Sequence, residues 1–411
     1  MSYSRLKWRF SFCFLWINMN PLLVSCYFSK TIYSPLINHL PITNENLFPG
    51  LTPNLKALNE EGWQLDNMHQ VEGSGWTMAG IVSSLCGTPL LYESSFAGNE
   101  VLFSRMLDKA TCLPDVLNEA GYRQIFMGGA ALGFANKGSF LREHGFDTTL
   151  GSYELISKLE DANYVTGWGL YDDSLFSQAL EQFDSLATAE QPFNLTLLTV
   201  DTHHPTGEPS ASCSKYDQID NSILHAVHCT DYLLGEFLDQ VKMHPAYEDT
   251  VVVLVSDHLA MRNNAFPLFP ENYQRRLYFN VLNSNVAAER EIFATPLDIA
   301  PTVLQLLGVQ HDVAFLAGLD LLNMPLKDAV RNTYDPNWLD AIRYINSNHL
   351  STVEGNITFS LNRRSLGEIE FSESISNARY SGGQLQFNAT TGDPYFMLPV
   401  LPDVEFGEAM L

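Results

Sequence analysis

Continuous apolar strands that alternate with amphipathic helices constrain the fold of this chain more than any other feature. The runs 193–200 (FNLTLLTV) and 250–255 (TVVVLV) are mostly apolar throughout their length, which is typical of strands buried on both faces. Helical patterns at 172–183 and 221–241 lie beside them in the sequence. The sequence therefore predicts an α/β fold with a mostly parallel central sheet and helices on both faces.

Other segments extend this alternation. Helices are predicted at 52–60, 77–85, 113–120 and 296–307, and strands at 122–127 and 277–282. In such folds the functional site lies at the carboxyl ends of the strands. We expect one polar edge there, formed by the residues that follow three predicted strands: Gly128-Gly129, Asp201 to His204, and Asp257-His258.

The chain divides into three predicted regions. Residues 1–43 form an atypical N-terminal segment, residues 44–328 carry the regular alternation, and residues 329–411 form a small β-rich region. In the last region, β-type alternation occurs at 356–362, 366–371 and 384–387. We predict that it is an appendage with one extra sheet.

The N-terminal segment has two interpretations. Basic residues precede the mostly apolar run 10–28, a pattern that predicts a signal peptide or a membrane anchor. Asn18, Asn20 and Pro21 interrupt the run, so it is a poor candidate for a spanning helix. The other interpretation is a misframed region, in which the reading frame is shifted before Asn44.

Charge limits the class of partner. Asp and Glu outnumber Lys and Arg by 47 to 23, giving a net charge of −24. Such an acidic chain is not expected to bind nucleic acid, because affinity for phosphate backbones comes from clustered basic residues. A single anionic substrate remains compatible, since a metal ion or a few donors can reverse the local potential.

Four of the six cysteines fall into two local pairs, Cys86 with Cys112 and Cys213 with Cys229. Two disulfides in an oxidising compartment and four buried free thiols both fit this spacing. There is no CxxC pair, which argues against a structural zinc site.

Three groups of residues could carry chemistry, and each has a simpler alternative. Asp257 and His258 follow the best strand and could bind one divalent cation, or could be ordinary loop residues. Thr77 opens a helix after a Gly-rich turn and could be a nucleophile, or it or Ser74 could be an N-cap. His203 could bind phosphate or act as an acid, or could be structural.

His203 and His204 are adjacent in the sequence. Consecutive side chains of an extended loop point in opposite directions, so we expect one of the two to face the site. Taken together with Thr77, Asp257 and His258 at one sheet edge, these residues predict metal-assisted transfer at phosphorus or sulfur.

Five motifs occur in order along the chain: FPGLTPNL (48–55), GSGWT (73–77), SSLCGTPL (83–90), TVDTHHP (199–205) and VSDH (255–258). Together they resemble the alkaline phosphatase and sulfatase superfamily, and most closely its phosphoglycerol transferase branch, which is related to lipoteichoic acid synthases. The resemblance extends over residues 44–322, so that 44–328 would be a sulfatase-like catalytic domain.

The resemblance implies a role for each matching position. Thr77 would be the nucleophile and a metal ligand, and Asp257 and His258 would be metal ligands. His203 would contact the transferred phosphoglycerol, and Lys137 would be a basic substrate-binding residue. The cofactor would be one divalent metal ion, Mn²⁺ or Mg²⁺, with Zn²⁺ as an alternative.

It also implies partners and a location. The donor would be phosphatidylglycerol at a membrane surface, and the acceptor a periplasmic glucan. The chain would work on the periplasmic face of the bacterial inner membrane, anchored or as a soluble periplasmic form, where the four paired cysteines would form two disulfides.

The sequence departs from the family at its start. Members begin the catalytic domain with an apolar strand that ends in a Glu ligand of the metal. Here residues 34–40 contain no Glu, and Glu45 is too close to the matching segment to replace it. We therefore expect a sheet without its central strand, weak metal affinity and low activity.

Two further functions fit the same residues. A phosphodiesterase or phosphatase of the same superfamily would use water as acceptor, and a truncated member would be catalytically impaired or only bind glycans. Sulfatase activity is disfavoured, because the segment around Thr77 has no C/S-x-P-x-R motif for making formylglycine.

Overall fold

The computed structural model describes the central part of the chain and three short strands outside it. The described residues are 11–16, 45–90, 107, 110–189, 191–270, 275–284, 286, 290–313, 315, 318–322, 377–381 and 384–388. In this part of the chain no helix is long and apolar enough to cross a membrane.

A seven-stranded sheet forms the centre of the described region. Its strands are β1 Ser11–Trp16, β2 Trp63–Gln64, β3 Arg123–Gly128, β4 Thr148–Leu150, β7 Phe193–Leu198, β8 Thr250–Val255 and β9 Phe279–Leu282. Their order in the sheet is β2-β9-β8-β1-β7-β3-β4. Pairing is parallel from β8 through β1, β7 and β3 to β4, whereas β9 is antiparallel to β8 and to β2. A separate hairpin consists of β5 Val165–Thr166 and β6 Gly169–Leu170.

The helices of the described region are α1 Pro53–Glu61, α2 Thr77–Cys86, α3 Leu113–Glu119, α4 Lys137–Glu143, α5 Ser152–Ile156, α6 Asp172–Ala187, α7 Ser222–Met243 and α8 Ile299–Leu306. Six of them pack in two groups. The first contains α1, α6 and α7, and the second contains α2, α3 and α8; α6 and α3 both contact β3. The predicted mostly parallel α/β architecture is confirmed.

The structure contains the predicted helices and strands, with small differences in the residues at which they begin and end. Strand β8 has the predicted bounds, because a run of β-branched residues is followed at once by the loop Ser256-Asp257-His258. The helix expected at 296–307 begins instead with a 3₁₀ turn, Pro296–Asp298, before α8. All six residues of β7 and all six of β8 are buried, as continuous apolar runs require.

The expectation that the sheet lacks its central strand is wrong. Strand β1 lies between β7 and β8 and pairs in parallel with both, with Phe14 opposite Thr196 and opposite Val253. The physical reason is that β7 and β8 each present unpaired backbone groups on their facing edges, which need a strand partner. The hexapeptide SFCFLW, which we read as part of a leader or anchor, supplies it.

At the C-terminal end, strands β10 (Asn377–Ser381) and β11 (Gln384–Asn388) form an antiparallel hairpin in which Ser381 pairs with Gln384. This agrees with the alternation at 384–387, whereas 356–362 and 366–371 lie outside the described residues. The division into regions 1–43, 44–328 and 329–411 stays a prediction.

Candidate active site

Thr77 is the first residue of α2 and is 9% exposed. The N-cap of this helix is the extended residue Trp76, and no side chain makes a cap hydrogen bond. Ser74 instead donates its hydroxyl to the Val71 carbonyl at 2.8 Å, which closes the turn before the helix. Neither Ser74 nor Thr77 is therefore the cap, and the Thr77 hydroxyl makes a different contact.

That contact is the carboxylate of Asp257, which accepts a hydrogen bond from Thr77. The close approach of α2 to the Asp257 loop depends on Gly80: a Cβ atom there would lie 2.1 Å from the Asp257 carbonyl oxygen. Sequence reasoning missed Gly80, since a glycine inside a helix gives no local sign of a distant partner. The Gln70 side chain joins the same two loops by accepting the Leu259 N–H at 2.6 Å.

Asp257 and His258 are fully buried. The Nδ1 atom of His258 lies 2.8 Å from the Leu259 carbonyl oxygen, so Nδ1 carries the proton and Nε2 has a free lone pair. His258 Nε2 lies 3.5 Å from Asp257 Oδ2, and among the described residues neither atom has a hydrogen-bond partner.

These two atoms fit a divalent cation. A carboxylate oxygen and an imidazole nitrogen, with the Thr77 hydroxyl beside them, form a donor set typical of Zn²⁺ or Mn²⁺, and buried polar atoms without partners are otherwise costly. The backbone carbonyl that holds the second nitrogen of His258 is the outer contact expected of a metal-binding histidine.

The protonation states of the cation-free protein follow from burial. Burial raises the pKa of Asp257 well above its usual range, although the His258 N–H, the Thr77 hydroxyl and the Lys137 charge oppose this shift. Burial lowers the pKa of His258 to about 3. Both changes remove charge, and a bound cation would reverse the first of them.

Lys137 reaches the same site from the start of α4 and is 2% exposed. The two residues before it, Ala135 and Asn136, have left-handed backbone conformations that turn the chain into the helix. Burial lowers the pKa of Lys137 to about 8, and Asp257 opposes the shift, so the two charges interact. The structure thus brings Lys137 into the electrostatic range of Asp257.

His203 lies in a turn after β7, and its ring nitrogen Nδ1 is 2.8 Å from the His204 carbonyl oxygen. The expectation that only one of the two histidines faces the site is wrong. Both line the cavity, and their rings stack with centroids 4.7 Å apart. The segment is not extended: His203 N–H donates to the Val200 carbonyl and Gly207 N–H to the His203 carbonyl, which folds it into turns.

A cavity beside Thr77 and the two histidines has a volume of about 470 Å³. Thr77 lies in its wall together with both histidines, so the predicted nucleophile and His203 face the same space. The lining residues are Gly75, Trp76, Thr77, Phe134, Trp168, His203, His204 and Met261.

Asp201, which the sequence placed at this edge, is a structural residue of the His203 loop. It is fully buried, and its carboxylate accepts hydrogen bonds from Asp172 N–H at 3.0 Å and from the Ser210 N–H and hydroxyl at 2.8 and 2.5 Å. Burial raises the pKa of Asp201 well above its usual range, and nearby Asp172 adds to the shift. Its contacts explain why an acidic residue follows β7.

The two predicted cysteine pairs are disulfides, Cys86–Cys112 and Cys213–Cys229. The first includes the last residue of α2, and the second links α7 to the segment after the His203 loop. Cys112 also lies close to Asp115 and His144, a grouping of metal-ligand types within the described residues. It is not a metal centre, because the Cys112 sulfur is bonded to Cys86 and Asp115 already accepts the Cys112 N–H and His144 Nδ1–H.

Glu45 does not reach the site. It accepts the Gly50 N–H at 2.9 Å and pairs with Lys56 at 3.5 Å on the surface before α1. Glu45 is also the first acidic residue of the chain, so residues 1–44 contain no carboxylate side chain to replace the expected Glu ligand.

Comparison with known proteins agrees with this architecture. The family model described as Sulfatase matches residues 42–309. Phosphoglycerol transferase I of Escherichia coli strain 55989 is 38% identical over 295 residues, which are 68% of this chain and 38% of that relative. This chain therefore spans less than half the length of that relative.

Solved structures show the same fold. An alkaline phosphatase superfamily protein from Vibrio parahaemolyticus has a TM-score of 0.60 and 25% identity, covering 78% of this chain and 71% of its own. The lipoteichoic acid synthase LtaP from Listeria monocytogenes has a TM-score of 0.56 and 21% identity, covering 77% of this chain and 76% of its own. The fold expected from the motifs is thereby confirmed.

Proposed function

The chain belongs to the sulfatase family, and from this premise we propose that it is a metal-dependent phosphoglycerol transferase. In the proposed reaction, phosphatidylglycerol donates its phosphoglycerol group to Thr77, and a hydroxyl group of a periplasmic glucan then takes it from Thr77. The 38% identity to phosphoglycerol transferase I over 295 residues supports the transferred group.

Thr77 is the proposed nucleophile of the first step. Its hydroxyl donates to Asp257, so the proton can leave towards that carboxylate as the Thr77 oxygen attacks phosphorus. A bond forms between Thr77 Oγ and phosphorus, the bond from phosphorus to the lipid oxygen breaks, and diacylglycerol leaves with a proton from solvent. The phosphoglycerol group is proposed to bind in the cavity that Thr77 lines.

Asp257 Oδ2, His258 Nε2 and the Thr77 hydroxyl are the proposed ligands of one divalent cation, Mn²⁺ or Mg²⁺, with Zn²⁺ as an alternative. When bound, the cation lowers the pKa of the Thr77 hydroxyl and offsets charge on the phosphoryl oxygens. Lys137 is proposed to add positive charge to the same phosphoryl group, and His203 to contact the transferred group from the other loop.

One observation favours a second candidate, a catalytically impaired member of the family. Residues 1–44 contain no Asp or Glu, so the carboxylate that relatives are expected to place after the first strand has no counterpart before Glu45. A site with one carboxylate holds a divalent cation more weakly than a site with two. The two candidates differ in a measurable quantity, the cation affinity.

The periplasmic face of the inner membrane is the proposed location. Two disulfides support an oxidising compartment. The proposed lipid donor requires access to a membrane surface, and the net charge of −24 supports a partner other than nucleic acid.

The geometry that carries the proposal is the contact of Thr77 with Asp257 beside two buried ligand atoms 3.5 Å apart. The test is to incubate the protein with phosphatidylglycerol vesicles and Mn²⁺ and to measure its intact mass after rapid quenching. We expect a phosphoglycerol adduct on Thr77 that is missing in Thr77→Ala. Release of free glycerol phosphate without transfer to glucan would instead make the protein a phosphodiesterase, and no adduct would favour the impaired member.

A further inference from the structure

A short hairpin, β5–β6, places Trp168 against His203. The two ring centroids are 3.7 Å apart with an interplanar angle of 35°, and both residues line the cavity that contains Thr77. Trp168 is 43% exposed, so one part of its surface contacts His203 while another part faces open space.

The hairpin is held firmly for its size. The Thr166 hydroxyl accepts the N–H groups of Trp168 at 2.9 Å and Gly169 at 3.0 Å, which fixes the turn. Gly169 has φ of +142°, and a Cβ there would lie 2.1 Å from the Gly129 carbonyl oxygen. Leu170 N–H donates to that same carbonyl at 2.8 Å, so the hairpin is attached to the end of β3.

Glu208 connects the tip of the hairpin to the His203 loop. Both of its carboxylate oxygens accept the Gly167 N–H, each at 3.1 Å. Its own N–H donates to the Asp201 carbonyl at 2.6 Å, and the neighbouring Gly207 N–H donates to the His203 carbonyl at 2.9 Å. Glu208 thus joins Gly167, the residue before Trp168, to the loop that carries His203.

The hydrogen bond of His203 sets which nitrogen can react. Nδ1 lies 2.8 Å from a carbonyl oxygen, which only accepts, so Nδ1 carries the proton. In the neutral ring Nε2 is then the acceptor, and it suits a hydroxyl group better than an anionic phosphoryl oxygen. Burial lowers the pKa of His203 to about 4, which keeps the ring neutral near pH 7.

We propose that Trp168, joined to the His203 loop by Glu208, is a positioning residue that holds the His203 imidazole with Nε2 ready to accept a proton from the acceptor hydroxyl. This inference rests on the proposed phosphoglycerol transfer and concerns its second step. The acceptor oxygen forms a bond to phosphorus while the bond from phosphorus to Thr77 Oγ breaks. The acceptor proton passes to His203 Nε2, and the electron pair of the broken bond returns to Thr77 Oγ.

The step also accounts for the placement of the other groups. Thr77 and His203 both line one cavity, so a hydroxyl compound that enters it can meet both. Trp168 restricts the ring from one side and His204 stacks on it at 4.7 Å, which leaves the imidazole few alternative orientations. The proposed general base acts in the second step, so its orientation should affect the rate of that step more than the rate of the first.

The test compares Trp168→Ala, Trp168→Phe and Glu208→Gln with a matched control, Tyr153→Ala, which removes a 77% exposed aromatic residue of α5 that does not line the cavity. The full chain is loaded with phosphatidylglycerol vesicles and Mn²⁺, and formation of the Thr77 adduct is timed separately from its transfer to a soluble glucoside.

In Trp168→Ala we expect transfer to slow about tenfold, with adduct formation changed by less than about twofold. The adduct then accumulates. Trp168→Phe restores most of the rate because it keeps an aromatic face against His203, and Glu208→Gln has a smaller effect of the same kind. A loss confined to adduct formation or to the KM for the lipid donor would overturn the inference and make Trp168 a lipid contact.

A second readout does not depend on activity. In protein with ¹⁵N-labelled histidine, the ring nitrogens of His203, assigned with His203→Gln, report which nitrogen carries the proton. We expect the Nδ1–H form in the wild type and a mixture of forms in Trp168→Ala. If the wild type forms no adduct, the proposed function fails, and an unchanged His203 signal in Trp168→Ala would overturn the positioning role as well.

Discussion

Thr77, Asp257 and His258 are at least nine-tenths buried, whereas Trp168, which lines the same cavity as Thr77, is 43% exposed. The buried residues are fixed by a helix start and by the loop that directly follows a central strand. Trp168 and His203 are held by turns and a two-residue hairpin. We call Thr77, Asp257 and His258 the ligand half of the site, and Trp168 with the His203 loop the acceptor half.

The two halves are suited to different steps of the proposed transfer. Charge in the ligand half acts strongly, because burial lowers the local dielectric and removes competing water. The acceptor half includes the 43% exposed Trp168, so a hydroxyl compound can approach it from solvent. Changes in the ligand half should therefore affect both steps, and changes in the acceptor half mainly the second.

The largest expected effect is at Thr77. Thr77→Ala removes the nucleophile, and we expect transfer to fall by at least ~10³-fold. Thr77→Ser keeps the hydroxyl and should retain measurable transfer. Initial rates of diacylglycerol release measure this, and an alanine variant as active as the serine variant would show that another group attacks phosphorus.

Next is Lys137. Lys137→Met removes a buried positive charge near the proposed phosphoryl site while keeping an unbranched side chain, and we expect kcat to fall ~10²-fold. The pKa of Lys137 is lowered to about 8, so the wild type should lose activity as the pH rises above about 8 and the ammonium loses its proton. A pH–rate profile measures this, and the same high-pH decline in Lys137→Met would contradict the assignment.

Substitution of Gly80 tests whether the ligand half depends on the contact of α2 with the Asp257 loop. In Gly80→Ala the new Cβ meets the Asp257 carbonyl, so we expect a loss of stability of ~1–3 kcal/mol and a rate loss approaching ~10²-fold. Thermal unfolding and rates measure both. The control is Gly133→Ala, where a Cβ has no atom within 4 Å; equal effects in the two variants would show that the contact does not matter.

The smallest effect on rate is expected from the disulfide beside the acceptor half. Replacing Cys213 and Cys229 by Ala opens a link with a sequence separation of 16, which should lower stability by about 3 kcal/mol. The matched variant removes Cys86–Cys112 at the end of α2. We expect loss of Cys213–Cys229 to slow transfer from Thr77 to the acceptor, and loss of Cys86–Cys112 to slow adduct formation. If both variants slow the same step, the two halves are not separable.

The sequence predicted the ligand half better than the acceptor half, for a physical reason. Thr77, Asp257 and His258 lie where a Gly-rich turn meets a helix and where an unbroken apolar strand ends, and both patterns are local. The contact of Trp168 with His203 joins a two-residue hairpin to a turn, and nothing within either segment indicates it. The stacking of His204 was missed because we treated a turn as extended chain.

The prediction for the central strand is wrong, because it assigns these residues to a leader or an anchor. SFCFLW has the composition of a strand, but its basic and apolar surroundings favoured a leader or an anchor. What places β1 between β7 and β8 is the need of two distant buried strands for a common partner. Such a need cannot be read from residues 11–16 alone.

The most direct test of the account is calorimetric titration of the purified chain with Mn²⁺, with Asp257→Asn and His258→Gln as variants and Gly133→Ala as the control. We expect one site that is lost in Asp257→Asn, weakened in His258→Gln and unchanged in the control. No binding to the wild type, or binding that survives Asp257→Asn, would contradict a cation site at Thr77, Asp257 and His258.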